Sequence, residues 1–177
     1  MEYLNSGIEE VFERFKTETG KDLEKYRHHV YRVFHYCLLL DPDDRNKEKY
    51  ALAAVFHDIG IWTDHTIDYL EPSIIRATDY LMETGQGSLK EEIKEMIYWH
   101  HKTGAVGKNV SPAAEVFRRA DWVDVSLSIR KFGLRGSDIR KYRKLFPRRG
   151  FHFFLFKKIL RQFLHHPLNP LPMFRNK

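Results

Sequence analysis

Leu23, Tyr26, Val30, Val33 and Cys37 fall three and four residues apart, the spacing that puts apolar side chains on one stripe of an α-helix. The same period returns along most of the 177 residues, and no run shows the sustained alternation of a half-buried strand. A chain patterned this way buries its apolar surface helix against helix. The expected fold is all-α, a single domain over residues 1–177 built as a bundle of about seven or eight helices.

Stop and start signals divide the pattern. A first helix is expected from about Ser6 to Thr19, stopped by Gly20, and a second from about Asp22 to Leu40, ended by the turn-forming DPDDRN. The third covers Lys47 to about Ile59 with Gly60 as its C-terminal cap. Pro72 suits the first turn of a helix running to Thr84, with Gly85 as its stop. Ser88 and Glu91 make a capping box for Leu89 to about His101. After the loop KTGAVGKN, Ser111 and Pro112 open a helix to about Ser128, and one or two basic helices fill Ser137 to His166. The tail HPLNPLPMFRNK is too proline-rich for regular structure.

Composition narrows the setting. With Cys37 the sole cysteine, no internal disulfide can form. No apolar stretch is long enough for a membrane span, and the start MEYLNSGIEE lacks the features of a signal peptide, so a cytoplasmic protein is expected. The net charge of +6 hides a division. Residues 139–177 carry 11 Lys or Arg and no Asp or Glu, leaving 19 basic and 24 acidic residues in 1–138, or +11 against −5. The basic end suits phosphate, nucleic acid or an anionic membrane surface, and the acidic body suits cations.

Polar residues then interrupt the apolar faces. His29 lies beside Val30 on the second helix, and His57 and Asp58 end the apolar run AAVF. On that helix Ala53 and Ala54 share a face with His57 and leave room above it. His100 follows Ile93, Met96 and Ile97 by helical spacing, and Asp121 and Asp124 lie along one face with Phe117. One such histidine reads as a core residue with a hydrogen-bond partner. Imidazoles and carboxylates from four helices together could converge on one cation, which would neutralise the carboxylates and use the imidazole lone pairs. A nitrogen and oxygen donor set without thiolate suits Mn, Fe, Co, Ni or Zn, and Mg can be accommodated.

HVYRV (His29 to Val33), the HD pair after AAVF, HH (His100, His101) and AD (Ala120, Asp121) together resemble the HD superfamily of metal-dependent phosphohydrolases, over about Lys25 to Val125. The resemblance implies an HD-type helical bundle whose metal is held by His29, His57, Asp58 and Asp121. His100 and His101 resemble ligands of a second metal, so one or two ions are implied, with Asp58 bridging two. For the remaining ligand of the second, WTDHTIDYLEPS offers His65, Glu71 or neither. The Glu and Asp that serve the single-metal nucleotidase branch are missing after the HD pair. The Gly-Tyr-Pro of the cyclic-dinucleotide phosphodiesterases is missing after His101, so the resemblance reaches the superfamily and stops short of a substrate.

The implied chemistry is hydrolysis of a phosphate ester, as a monoesterase or a diesterase, on a nucleotide or another small phosphorylated molecule. His57 and Asp58 would carry it, and Lys102 is either a contact to the substrate phosphate or an ordinary solvated lysine. Arg32 is expected to partner a buried carboxylate, and Asp124 to accept a hydrogen bond from a ligand histidine or from water on the metal. Two other readings stand beside the hydrolase: a non-catalytic or regulatory binder of nucleotide or nucleic acid, and a di-iron oxygenase. In FHFFLFKKILRQFLHH, Phe153, Phe156, Leu160 and Phe163 recur at helical spacing. They are expected to cover the core and leave a cationic face outside.

Overall fold

The computed structural model describes residues 3–168 and 171–172. Among these the secondary structure is helical and contains no strand. The order is α1 (Ser6–Arg14), α2 (Lys16–Thr19), α3 (Leu23–Leu40), α4 (Lys47–Phe56), α5 (Gly60–Thr63), α6 (Leu70–Glu83), α7 (Lys90–Trp99), α8 (Pro112–Val125), α9 (Gly136–Leu145) and α10 (Phe151–His165). The all-α expectation holds. No described helix is long and apolar enough to cross a membrane.

α3 is the axis. It packs chiefly on α8 and α4, while α6 and α7 pair with each other and α7 closes on α8 and α4. Its stripe is buried as the spacing requires: Tyr26, Val30, Val33 and Cys37 are all fully enclosed, together with Val55 and Phe56 of α4 and Phe117 of α8. Each such apolar side chain contributes about 1.5–3 kcal/mol on burial. The Tyr26 hydroxyl ties α3 to α4 by donating to the Val55 carbonyl at 2.8 Å, and it accepts from the Asp58 amide at 3.3 Å. A tyrosine on the central stripe therefore fixes the backbone next to the HD pair.

Several boundaries differ from those expected. The first helix breaks at Phe15 into α1 and α2. α4 ends at Phe56, so His57 and Asp58 occupy a turn and not a helix interior. Gly60 opens α5 instead of capping α4. Its role is close approach: a Cβ there would lie 2.7 Å from the Tyr69 carbonyl oxygen and 2.9 Å from Pro72 Cβ. The Gly60 amide donates to Ser73 Oγ at 3.0 Å. Ser88 and Glu91 form no capping box, because a 3-10 turn over Gly87–Leu89 leads into α7 and no side chain caps it. α7 stops at Trp99, which frees His100 and His101 for a turn of their own. Ser111 caps α8 as expected, its side chain accepting from the Ala114 amide. α8 ends at Val125, since Leu127 and Ser128 take left-handed conformations. The tail HPLNPLPMFRNK lies largely outside the described residues.

The C-terminal helix reverses its expected orientation. Phe153, Phe156, Leu160 and Phe163 are exposed, and α10 holds to the body through Phe151, which is fully buried, with Phe154, Leu155 and Ile159. Phe154 stacks on Trp62 at 5.4 Å. Each aromatic at the inner positions has a ring waiting for it on the body, and that decides which face turns inward.

Two stability measurements follow. Gly60→Ala forces Cβ into backbone and is expected to cost about 1–3 kcal/mol, read as a lower urea midpoint with unchanged slope. His35 donates to the Tyr3 carbonyl at 3.0 Å and stacks on Tyr142 at 4.4 Å, and burial, assisted by nearby lysines, lowers its pKa from 6.5 to about 4. The folded chain keeps this ring neutral while the unfolded chain protonates it. The stabilisation is therefore whole above pH 6.5 and is lost as pH falls toward 4, with a slope of up to about 1.4 kcal/mol per unit. Urea titrations across that window should show the slope, and His35→Phe should reduce it, the remainder coming from groups such as His29 that burial also holds neutral.

Candidate metal centre

The site begins with one histidine fixed from behind. His29 Nδ1 lies 2.7 Å from Asp124 Oδ2, and a carboxylate can only accept, so Nδ1 carries the proton and Nε2 presents a lone pair. Asp124 is itself held by Arg32, whose Nε and Nη2 donate to the two carboxylate oxygens at 2.6 and 2.8 Å. The third arm of Arg32 donates to the Phe146 carbonyl at 2.8 Å. Arg32, Asp124 and His29 are all buried, so this chain of hydrogen bonds runs from α3 to α8 and back inside the core.

Two more rings are set the same way by backbone. His57 Nδ1 donates to the Ala54 carbonyl at 2.7 Å, and His100 Nδ1 to the Ile97 carbonyl at 2.6 Å. Both Nε2 atoms then turn toward Asp58. His29 Nε2 and His57 Nε2 are 3.0 Å apart, Asp58 Oδ2 lies 3.4 Å from His57 and 3.8 Å from His29, and Asp121 Oδ1 lies 3.5 Å from His29 and 3.8 Å from His57. Donors about 2.1 Å from a shared ion lie about 3.0 Å apart at a right angle and about 3.4 Å apart at a tetrahedral one. The observed spacings fall at and just above that range. On the other side, Asp58 Oδ1 lies 3.7 Å from His100 Nε2, and Asp58, His100 and His101 form a second group of converging donors. The hydroxyl of Tyr69 meets His101 Nε2 at 2.6 Å.

The charges ask for a cation. Asp58, Asp121 and Asp124 are all nearly inaccessible to water. Burial would push Asp124 up, but Arg32 and His29 hold it well below the usual carboxylate range. Burial pushes Asp121 up to about 8, with Asp58 and Asp124 adding to it against the pull of His57. His57 is raised to about 9, because Asp58 and Asp121 outweigh the burial that alone would lower it. Burial lowers His29 to about 4, even beside Asp124. Asp58 Oδ1 and Asp121 Oδ1 are buried without a hydrogen-bond partner. Buried oxygens normally have one, and a divalent ion would satisfy both atoms at once while replacing the proton on His57. The residues present therefore fit a metal ion.

The structure brings together His29, His57, Asp58, Asp121 and His100, with half-buried His101 at the margin and Arg32 and Asp124 behind. Lys102 is half-buried and carries its ammonium 5.3 Å over the Trp99 ring. His65 and Glu71 are both exposed and belong to neither group of donors. Sequence reasoning passed over three neighbours. Phe151 stacks on His29 at 4.1 Å with the rings 15° apart, Tyr26 lies parallel to His29 on its own helix, and Tyr69 bonds His101. Tyr26 sits one turn before His29 and could have been read from that spacing. Phe151 lies 122 positions away in sequence and carries no local mark.

Residues 26–126 match the family model described as HD domain. No curated protein and no solved structure matches the chain. The hydrogen bond behind His29 yields a test: Asp124→Asn keeps the shape but removes the charge that orients the ring, and is expected to weaken binding of Mn or Co about 10–100-fold. Competition with a chromophoric chelator measures this directly.

Proposed function

The chain belongs to the HD domain family, and from that premise we propose that it is a metal-dependent phosphohydrolase acting on a nucleotide or another small phosphorylated molecule. One observation carries the reading. The two oxygens of Asp58 face opposite ways, Oδ2 toward His29 and His57 and Oδ1 toward His100, so this one carboxylate could serve a cation on either side.

In this reading His29, His57, Asp58 and Asp121 hold one divalent ion, and His100 and His101 with Asp58 serve a second. Bound there, such an ion would supply charge to a phosphoryl oxygen and would lower the pKa of water from about 16 toward about 7. The protein's part is position and dryness. Arg32 and Asp124 keep the His29 proton on Nδ1 and its lone pair toward the ion. The Ala54 and Ile97 carbonyls do the same for His57 and His100. Phe151 and Phe117 exclude water from the rings. Substrate would come from the side of His101, the half-buried member, and Lys102, next to it in sequence, would meet a phosphate only by leaving its place over the Trp99 ring.

A non-catalytic binder would share the ligands but not the turnover, and a di-iron oxygenase would need a fuller ligand set for the second ion than Asp58, His100 and His101. Metal analysis and a panel of nucleotides, phosphomonoesters and phosphodiesters with Mn, Co, Ni or Mg separates the three. The expected result is about one or two ions per chain and turnover of one ester class, both lost in Asp58→Ala and His29→Ala. Lys102→Ala should keep its metal and raise KM. A folded wild-type protein that takes up no metal, or turnover that survives Asp58→Ala, overturns the reading.

A further inference from the structure

A helix packed on a globular body normally shows water its polar face. α10 does the opposite. Phe153, Phe156, Leu160, Phe163 and Leu164 lie on one stripe and are 45–69% exposed, while the inner face is already filled by Phe151 and Phe154 against His29 and Trp62. Five large apolar side chains in one contiguous row exceed the scattered exposure normal for a surface. The border of the stripe is cationic. Lys157 Nζ sits 4.5 Å over the outward ring of Phe153, and Arg161 follows one turn on. Beyond them Lys158, Arg161, His65, His165 and His166 share the lining of a cavity of about 290 Å³, whose lining residues include no carboxylate.

We propose that the outward face of α10 docks on an anionic phospholipid surface, with the phenylalanines entering the boundary between headgroups and acyl chains and the cationic border meeting lipid phosphates. An apolar row of aromatics edged by lysine and arginine is the pattern of a helix lying in a membrane interface. The charge division fits the same partner, since residues 139–177 contain 11 basic and no acidic residues and a negative leaflet attracts such a segment. A second copy of the chain fits poorly, because pairing two such faces sets like charges together. Nucleic acid would match the charge but leave the phenylalanines in water.

Full-length protein is tested by flotation with vesicles of phosphatidylcholine alone and with phosphatidylglycerol added, at low and high salt. Binding is expected on the anionic vesicles, weakened by salt, and small on phosphatidylcholine. Phe153→Ser with Phe156→Ser should lower binding at least about tenfold, and so should Lys157→Glu with Arg161→Glu. All four side chains are exposed, so these variants should melt like the wild type and keep its metal content. Failure here would therefore leave the reading of the metal centre standing. No binding to anionic vesicles, equal binding to phosphatidylcholine, or binding unchanged in the phenylalanine pair overturns the proposal. So does a dimer that the phenylalanine pair dissociates in a chain that ignores lipid.

Discussion

Asp58, Asp121 and Asp124 stand close together inside one helical core, and the arginine hydrogen-bonded to one of them is Arg32. Arg32 spends its charge on Asp124 through two hydrogen bonds, which leaves Asp58 and Asp121 facing each other across two imidazoles. Removing a buried carboxylate from water costs several kcal/mol. The fold tolerates that because the cluster is organised around a centre that a cation can occupy. The rest of the architecture serves it: α3 gives His29 and Arg32, α8 gives Asp121 and Asp124, and the turns after α4 and α7 give the remaining donors. The extensive packing of α3 against α8 holds the Arg32 and Asp124 pair in register.

The part of the chain beyond the family match completes this centre. Phe146 supplies the carbonyl that takes Arg32's third arm, Phe151 covers the face of His29, and His152 donates to the Asp124 carbonyl at 2.9 Å. The matched residues end at 126, yet the wall on that side comes from residues 146–152. A truncation at the family boundary would open His29 to water and leave one donor of Arg32 without its acceptor. The basic C-terminal segment is thus structural on its inner side, whatever it meets on its outer one.

The helical class and most element positions were legible because period and punctuation are local properties. The donors were legible for the same reason: a polar residue at an apolar position is visible without knowing its partner. Gly60 and Phe151 were not. A glycine before a short helix looks like a cap, and only the approach of the Tyr69 carbonyl shows that it is there for want of space. Phe151 belongs to a run of aromatics in which spacing alone identifies two faces but not which one turns inward. Tertiary partners, Trp62 for Phe154 and His29 for Phe151, made that choice, and they lie about 90 and 120 positions upstream.

That choice has a consequence for α10 as a whole. A helix of 15 residues needs one apolar face to hold a body, and this one carries two. The inner face has the partners that fix its position, so the outer stripe adds nothing to the hold on the core and leaves apolar surface in water at a cost. Basic residues border that stripe and α10 carries no acidic one, so a second copy would meet like charge there and a negative surface would meet opposite charge. The two faces of one helix are thus unlike: the inner one closes over His29 through Phe151, and the outer one sets an apolar row beside Lys157 and Arg161.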